Sequence, residues 1–133
     1  MRQPSAFVVC PANNITRFIR RCYALALERE ADEDGLNEWC AHLLEKDLTP
    51  ERVAFGFVFS DEAHARELDD TAFMTMLYRL MMDREPDADG LANWLTALAD
   101  AEARLGEDPG RQEIYALFAA SEEFGLMIRN FGF

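Results

Sequence analysis

The chain has 133 residues, 50% of them hydrophobic and 29% charged, and its 25 acidic against 13 basic side chains give a net charge of −12. This length suits one domain with a real core, and the composition is that of a globular protein, not of a disordered or membrane chain. So acidic a surface excludes a nucleic-acid partner, whose phosphates must be met by positive charge; it is compatible with cation binding and, more plainly, with solubility.

Three cysteines, Cys10, Cys22 and Cys40, form an odd set without Cys-x-x-Cys spacing, so reduced, buried thiols are expected rather than a disulfide framework. Such thiols fit the cytoplasm. His42 and His64 do not stand at ligand spacing from them, which disfavours zinc. No stretch approaches the ~20 apolar residues that span a membrane, so membrane insertion is not expected. The run Ala6-Phe7-Val8-Val9-Cys10 is too short for the apolar region of a signal peptide.

Residues 1–13, with Pro4 and Pro11, read as an N-terminal arm. Asn13 or Asn14 then caps a first helix, along which Ile15, Phe18, Ile19, Cys22, Tyr23 and Ala26 recur at helical spacing. Arg17, Arg20 and Arg21 fall on its other side, where ion pairing with the plentiful acids is expected. After an acidic loop, Leu36, Trp39, Cys40, Leu43 and Leu44 form a second stripe, and Lys46 suits the negative end of that helix. Thr49-Pro50-Glu51 starts the next one: a capping hydroxyl, proline at the first helical position and an acid in the first turn.

Val53–Phe59 alternates aromatics around Gly56 and could form a strand, but its counterpart Ile114–Ala120 is a better helix former, so both are taken as helices. Ser60 and Ser121 follow them and cap short helices. In the second half Asp70 caps a helix with Phe73, Met76, Leu77, Leu80 and Met81 inward. Leu91, Trp94, Leu95 and Leu98 make the next stripe, Ala101–Pro109 extends it and adds a longer turn, and Phe124, Met127, Ile128 and Phe131 close the chain. At this spacing the Trp and Met residues read as core.

The acidic loop occurs twice. Arg29-Glu30-Ala31-Asp32-Glu33-Asp34-Gly35-Leu36-Asn37-Glu38-Trp39 precedes Arg84-Glu85-Pro86-Asp87-Ala88-Asp89-Gly90-Leu91-Ala92-Asn93-Trp94 at a constant offset of 55. Ser60 and Ser121 lie 61 apart, so the second repeat carries six extra residues (61 − 55). The fold expected is all-α: a single domain, 1–133, of about seven to eight helices in two tandem repeats, 14–68 and 69–133, sharing one core.

These motifs, with Tyr78, Arg84 to Trp94 and Ser121 to Phe124 as the best matches, resemble the bacterial domain-of-unknown-function family numbered 4214. The first copy departs with Ala31 in place of Pro86 and Ala63 in place of Phe124. The resemblance implies a helical fold similar to the phycobilisome linker domain, over about Ile15 to Phe131. It also implies a place inside larger extracellular or surface proteins, or beside glycosyltransferase domains, and it brings no catalytic residues.

Two roles compete for the loops. Alternating carboxylates before glycine are how an EF-hand presents oxygens to Ca²⁺, which makes Asp32, Asp34, Asp87 and Asp89 candidate metal ligands. Position 12, however, is Ala41 or Thr96, which excludes a full EF-hand and leaves at most an irregular calcium site. The structural role has Asp87 or Asp89 capping the helix that begins near Gly90, Arg84 pairing with a loop carboxylate, and Leu91 and Trp94 facing the core. No phosphate loop, nucleophile elbow or metalloprotease motif is present, and His42 and His64 read as helix-surface residues. The function expected is a non-catalytic interaction or scaffold module that binds a protein or a polysaccharide. The alternatives are a calcium- or carbohydrate-binding domain and an accessory domain to a glycosyltransferase.

Overall fold

A computed structural model describes residues 13–45 and 47–133. Among these residues there are eight α-helices and no strand, so the chain is all-α. They are α1 (Asn13–Cys22), α2 (Glu33–Glu45), α3 (Pro50–Val58), α4 (Asp61–Ala65), α5 (Asp70–Leu77), α6 (Ala88–Leu105), α7 (Glu107–Ala119) and α8 (Glu122–Asn130). The chain divides into two compact units. Of the described residues, those up to Arg66 with 130–133 form one, and residues 67–129 form the other. The last four residues thus belong to the first unit, where Phe131 and Phe133 meet the ring of Phe18 edge-on at centroid distances of 5.7 and 5.4 Å.

In the first unit the apolar stripe of α1 is buried as its spacing demands: Phe18, Ile19 and Cys22 are fully enclosed, with Val53, Ala54 and Phe57 of α3 and Cys40 of α2. Full burial of such a side chain is worth about 1.5–3 kcal/mol. Burial pushes the Cys22 thiol up to about 12, and Cys22 and Cys40 are both buried. Arg17 and Arg21 lie over the Phe131 ring, their guanidinium carbons 4.8 and 5.9 Å from its centre. The second unit buries Phe73, Met74, Met76, Leu77, Leu80, Met81, Leu98, Ile114, Tyr115, Phe118, Phe124 and Met127.

Helix starts follow the local chemistry, with two shifts from expectation. Thr49 and Ser60 accept from the backbone N–H groups of Arg52 and Ala63, both at 3.1 Å, and Ser121 from that of Phe124 at 3.2 Å. The cap of α5 is Asp69, which accepts from Ala72 N at 2.8 Å; Asp70 already lies inside the helix, one residue later than a cap. Asn14 lies within α1 and does not cap it; Cys10, Lys46 and the arm fall outside the described residues.

The six extra residues do not form a longer turn. Helix α6 has 18 residues against 13 for α2, and α7 has 13 against 9 for α3. The connection meanwhile shrinks from residues 46–49 to Gly106 alone, whose φ of 102° only glycine adopts readily. The insertion is helical, and it lengthens the α6–α7 hairpin. The two helices approach so closely that a Cβ on Gly110 would come within 2.7 Å of the backbone N and Cα of Glu102.

Candidate functional site

Each unit contains one corner built around its acidic loop, and each corner starts with a π-helical turn. Helix α1 continues into Tyr23–Leu27 and α5 into Tyr78–Met82, again 55 residues apart. Each turn ends on a non-glycine residue in the left-handed region, Glu28 at φ 53° and Asp83 at φ 56°. That conformation costs roughly 1–2 kcal/mol for an L-residue, so its double occurrence marks a backbone path that the corner imposes.

The tyrosine that opens each turn reaches across to the loop glycine. A Cβ on Gly90 would lie 2.8 Å from Asp87 Oδ1 and 2.9 Å from Tyr78 Oη, and one on Gly35 would run directly into Tyr23 Oη, so contact and not φ favours glycine at both. The residue three before each glycine caps the following helix. Asp32 Oδ2 accepts from Gly35 N at 2.9 Å, and Asp87 Oδ2 from Gly90 N at 3.1 Å. These backbone hydrogen bonds are the main cause holding both carboxyls below their usual range. Of the four candidate ligands, then, Asp32 and Asp87 are caps, while Asp34 and Asp89 stand exposed in the first turns of α2 and α6.

Asp32 also accepts from Arg29 Nη1 at 3.3 Å on Oδ1, so both of its oxygens are engaged. Burial is the first cause that pushes the Tyr23 and Tyr78 phenols up. Among the described residues, no three or more His, Cys, Asp or Glu side chains are grouped so as to hold a metal ion.

The loop arginines look past their own loops. Arg29 forks onto Glu62 at 2.6 and 3.0 Å, and Arg84 forks onto Glu123 at 2.9 and 3.0 Å. Each guanidinium also covers the corner tyrosine, 4.8 Å from Tyr23 and 5.0 Å from Tyr78. Pairing with a loop carboxylate is present but longer in the second corner, with Arg84 to Asp87 at 3.6 Å. Glu62 and Glu123 are held below the usual carboxylate range chiefly by the hydrogen bonds from these arginines.

Above each corner sits an aromatic pair, Trp39 with Phe57 at 4.8 Å and Trp94 with Phe118 at 4.7 Å. The sequence showed the capping Thr49, Ser60 and Ser121, offered Asp87 or Asp89 for α6, and showed the tryptophans. Glu62, Glu123 and the hydroxyls of Tyr23 and Tyr78 escaped it, although the offsets of 55 and 61 aligned them. His42 is a surface residue 3.0 Å from Asp47, and the Nδ1 of His64 lies 2.9 Å from the Ser60 carbonyl.

The sequence model of the family described as "Domain of unknown function (DUF4214)" matches residues 12–67 and again 56–127. The chain belongs to this family. Each matched DUF4214 segment contains one whole corner, Tyr23 to Glu62 in the first and Tyr78 to Glu123 in the second. The chain matches no curated protein and no solved structure. No helix among the described residues is long and apolar enough to cross a membrane.

Proposed function

We propose that this DUF4214 chain is a non-catalytic helical module that binds another protein through an apolar groove of its first unit. The carrying observation is that groove, about 410 Å³ and lined by Ile15, Leu43, Leu44, Leu48, Pro50 and Phe133. Leu44 stands 45% exposed on its wall, on a helix that buries Cys40 and Leu43. An exposed leucine beside a concave apolar surface is the usual chemistry of a site for an apolar side chain of a peptide segment. The acidic loops support the same division of labour, since Arg29, Asp32, Arg84 and Asp87 are engaged in holding helices together.

Selection of a displayed random-peptide library on the immobilised chain tests this, with a glycan array run alongside. Enrichment of peptides with an apolar anchor is expected, lost in Leu44→Asp and kept in Leu117→Asp at unchanged melting temperature. Retention of glycans alone would replace the protein partner with a polymer. Failure of both arms, together with turnover of any substrate, would overturn the module.

A further inference from the structure

One polar cluster of the second unit stands outside its corner. Arg111, on α7, has a side chain only 12% exposed. It donates Nη2 to the Leu68 carbonyl at 2.8 Å and to Asp70 Oδ1 at 3.1 Å, and Nε to Glu102 Oε2 at 3.3 Å. Its Nη2 also lies 3.8 Å from Glu107, and the guanidinium covers the Phe73 ring at 4.7 Å. The charged groups around Glu102 thus come from every neighbouring element: Asp70 from α5, Glu107 and Arg111 from α7, and Glu67 and Asp69 from the segment ahead of α5. One cation faces three contacting carboxylates.

A single guanidinium holds both Asp70, through Nη2, and Glu102, through Nε, which sets the two carboxyl groups at the separation of neighbouring donors on one cation. Two ionised carboxylates at that separation repel, whereas one shared proton converts the repulsion into a strong O–H···O⁻ bond. Arg111 cannot lose its own proton, so the pair is the part that changes. The tie matters structurally, because it anchors the Leu68 backbone and the start of α5 to the α6–α7 hairpin.

We propose that Asp70, Glu102 and Arg111 form a proton-operated clasp, which closes on one proton shared by the two carboxyl groups and loosens when that proton leaves. Burial, with Asp70 beside it, pushes the Glu102 carboxyl up from the ordinary 4.5. The folded chain therefore binds this proton more tightly than the unfolded chain does. The clasp's stabilisation is complete below 4.5 and declines as the pH rises through the raised value.

Carbon-detected NMR titration of the side-chain carboxyls in the full chain reads the clasp directly. Glu102 is expected to titrate above 4.5, and Asp70→Asn should bring it back toward that value. Glu102→Gln, which keeps the shape of the neutral acid, should raise the melting temperature at neutral pH and flatten its decline with pH. Ordinary titration of Glu102 in the wild type would overturn the clasp. So would loss of stability in Glu102→Gln at neutral pH, since that is the result of removing a simple ion pair with Arg111. Indifference of Glu102 to Asp70→Asn would show that no proton is shared.

Discussion

Where the π-turn ends, the first unit sets Arg66 against Glu28 at 2.7 Å, with the same guanidinium donating to the Ala26 carbonyl. Sixty-one residues on from Arg66 the second unit has Met127, which is buried, and its acidic loop is gripped by Arg79 forking onto Glu85 at 2.6 and 2.9 Å. Under Trp39 the first unit has Gly56, where a Cβ would come 3.0 Å from the indole; the second has Leu117, 53% exposed, in the equivalent place. What the units share is Tyr over Gly, Asp at the cap, Trp on Phe and the fork of the loop arginine onto a glutamate. What differs is the ion pairing beyond those forks, of which the exposed Arg79–Glu85 pair contributes little to stability, and the residue facing solvent. A corner of this kind is defined by its packing around glycine and one arginine fork, while its other charges vary.

The largest effect should come from the feature that one unit has alone. Gly110→Ala would push a Cβ into the α6 backbone at Glu102 and Ala101, with no flexible side chain to move aside. Overpacking of this sort costs about 1–3 kcal/mol or more. Urea denaturation should show the midpoint falling, and an unchanged midpoint would mean that α6 and α7 need not approach so closely. Next come the shared glycines. Gly35→Ala should destabilise more than Gly90→Ala, because the added Cβ meets Tyr23 Oη more closely than Tyr78 Oη. Tyr23→Phe removes the oxygen, so a double-mutant cycle with Gly35→Ala should show a favourable coupling larger than that of Tyr78→Phe with Gly90→Ala. Equal couplings would erase the difference between the corners.

Much of this was legible from sequence, for reasons that can be stated residue by residue. The caps at Thr49, Ser60, Ser121 and Asp87 are local chemistry, fixed within three residues, and the offsets of 55 and 61 exposed the duplication. Asp69 in place of Asp70 shows the resolution of such reasoning when two capping residues adjoin. The Arg84–Glu123 fork joins residues 39 apart, and the Arg111–Asp70 bond residues 41 apart. No local spacing encodes them. Charge complementarity on so acidic a chain offered each arginine many partners, and only the fold selects among them. The insertion misled because Gly106-Glu107-Asp108-Pro109 has turn composition, yet Pro109 sits in the first turn of α7, where its missing N–H is harmless.

Acid should release both corners. Glu62, Glu85 and Glu123 are held low by their arginines, so their stabilising contributions are present above the ordinary 4.5 and are lost as the pH falls through the lower folded values. Hydrogen exchange followed by mass spectrometry should show protection at the starts of α4 and α8 declining over that acid range. Glu123→Gln removes the titrating group from the second corner only, so the pH dependence should flatten at α8 and persist at α4. Flattening at both would mean that the corners do not titrate separately.

The smallest effect is expected from Arg29→Lys and Arg84→Lys. Each keeps the charge but gives up the two-pronged bond and the flat cover over tyrosine. The forks are similarly exposed, with side chains 40% and 46% open in the first corner and 42% and 45% in the second. Solvent screening should therefore keep both losses slight and nearly equal, and added salt should narrow the gap to the wild type. The arginines share no partner, so the double variant should lose the sum of the single losses if the chain unfolds in one transition. Two transitions, each moved by only one of the substitutions, would show instead that each corner stabilises its own unit alone.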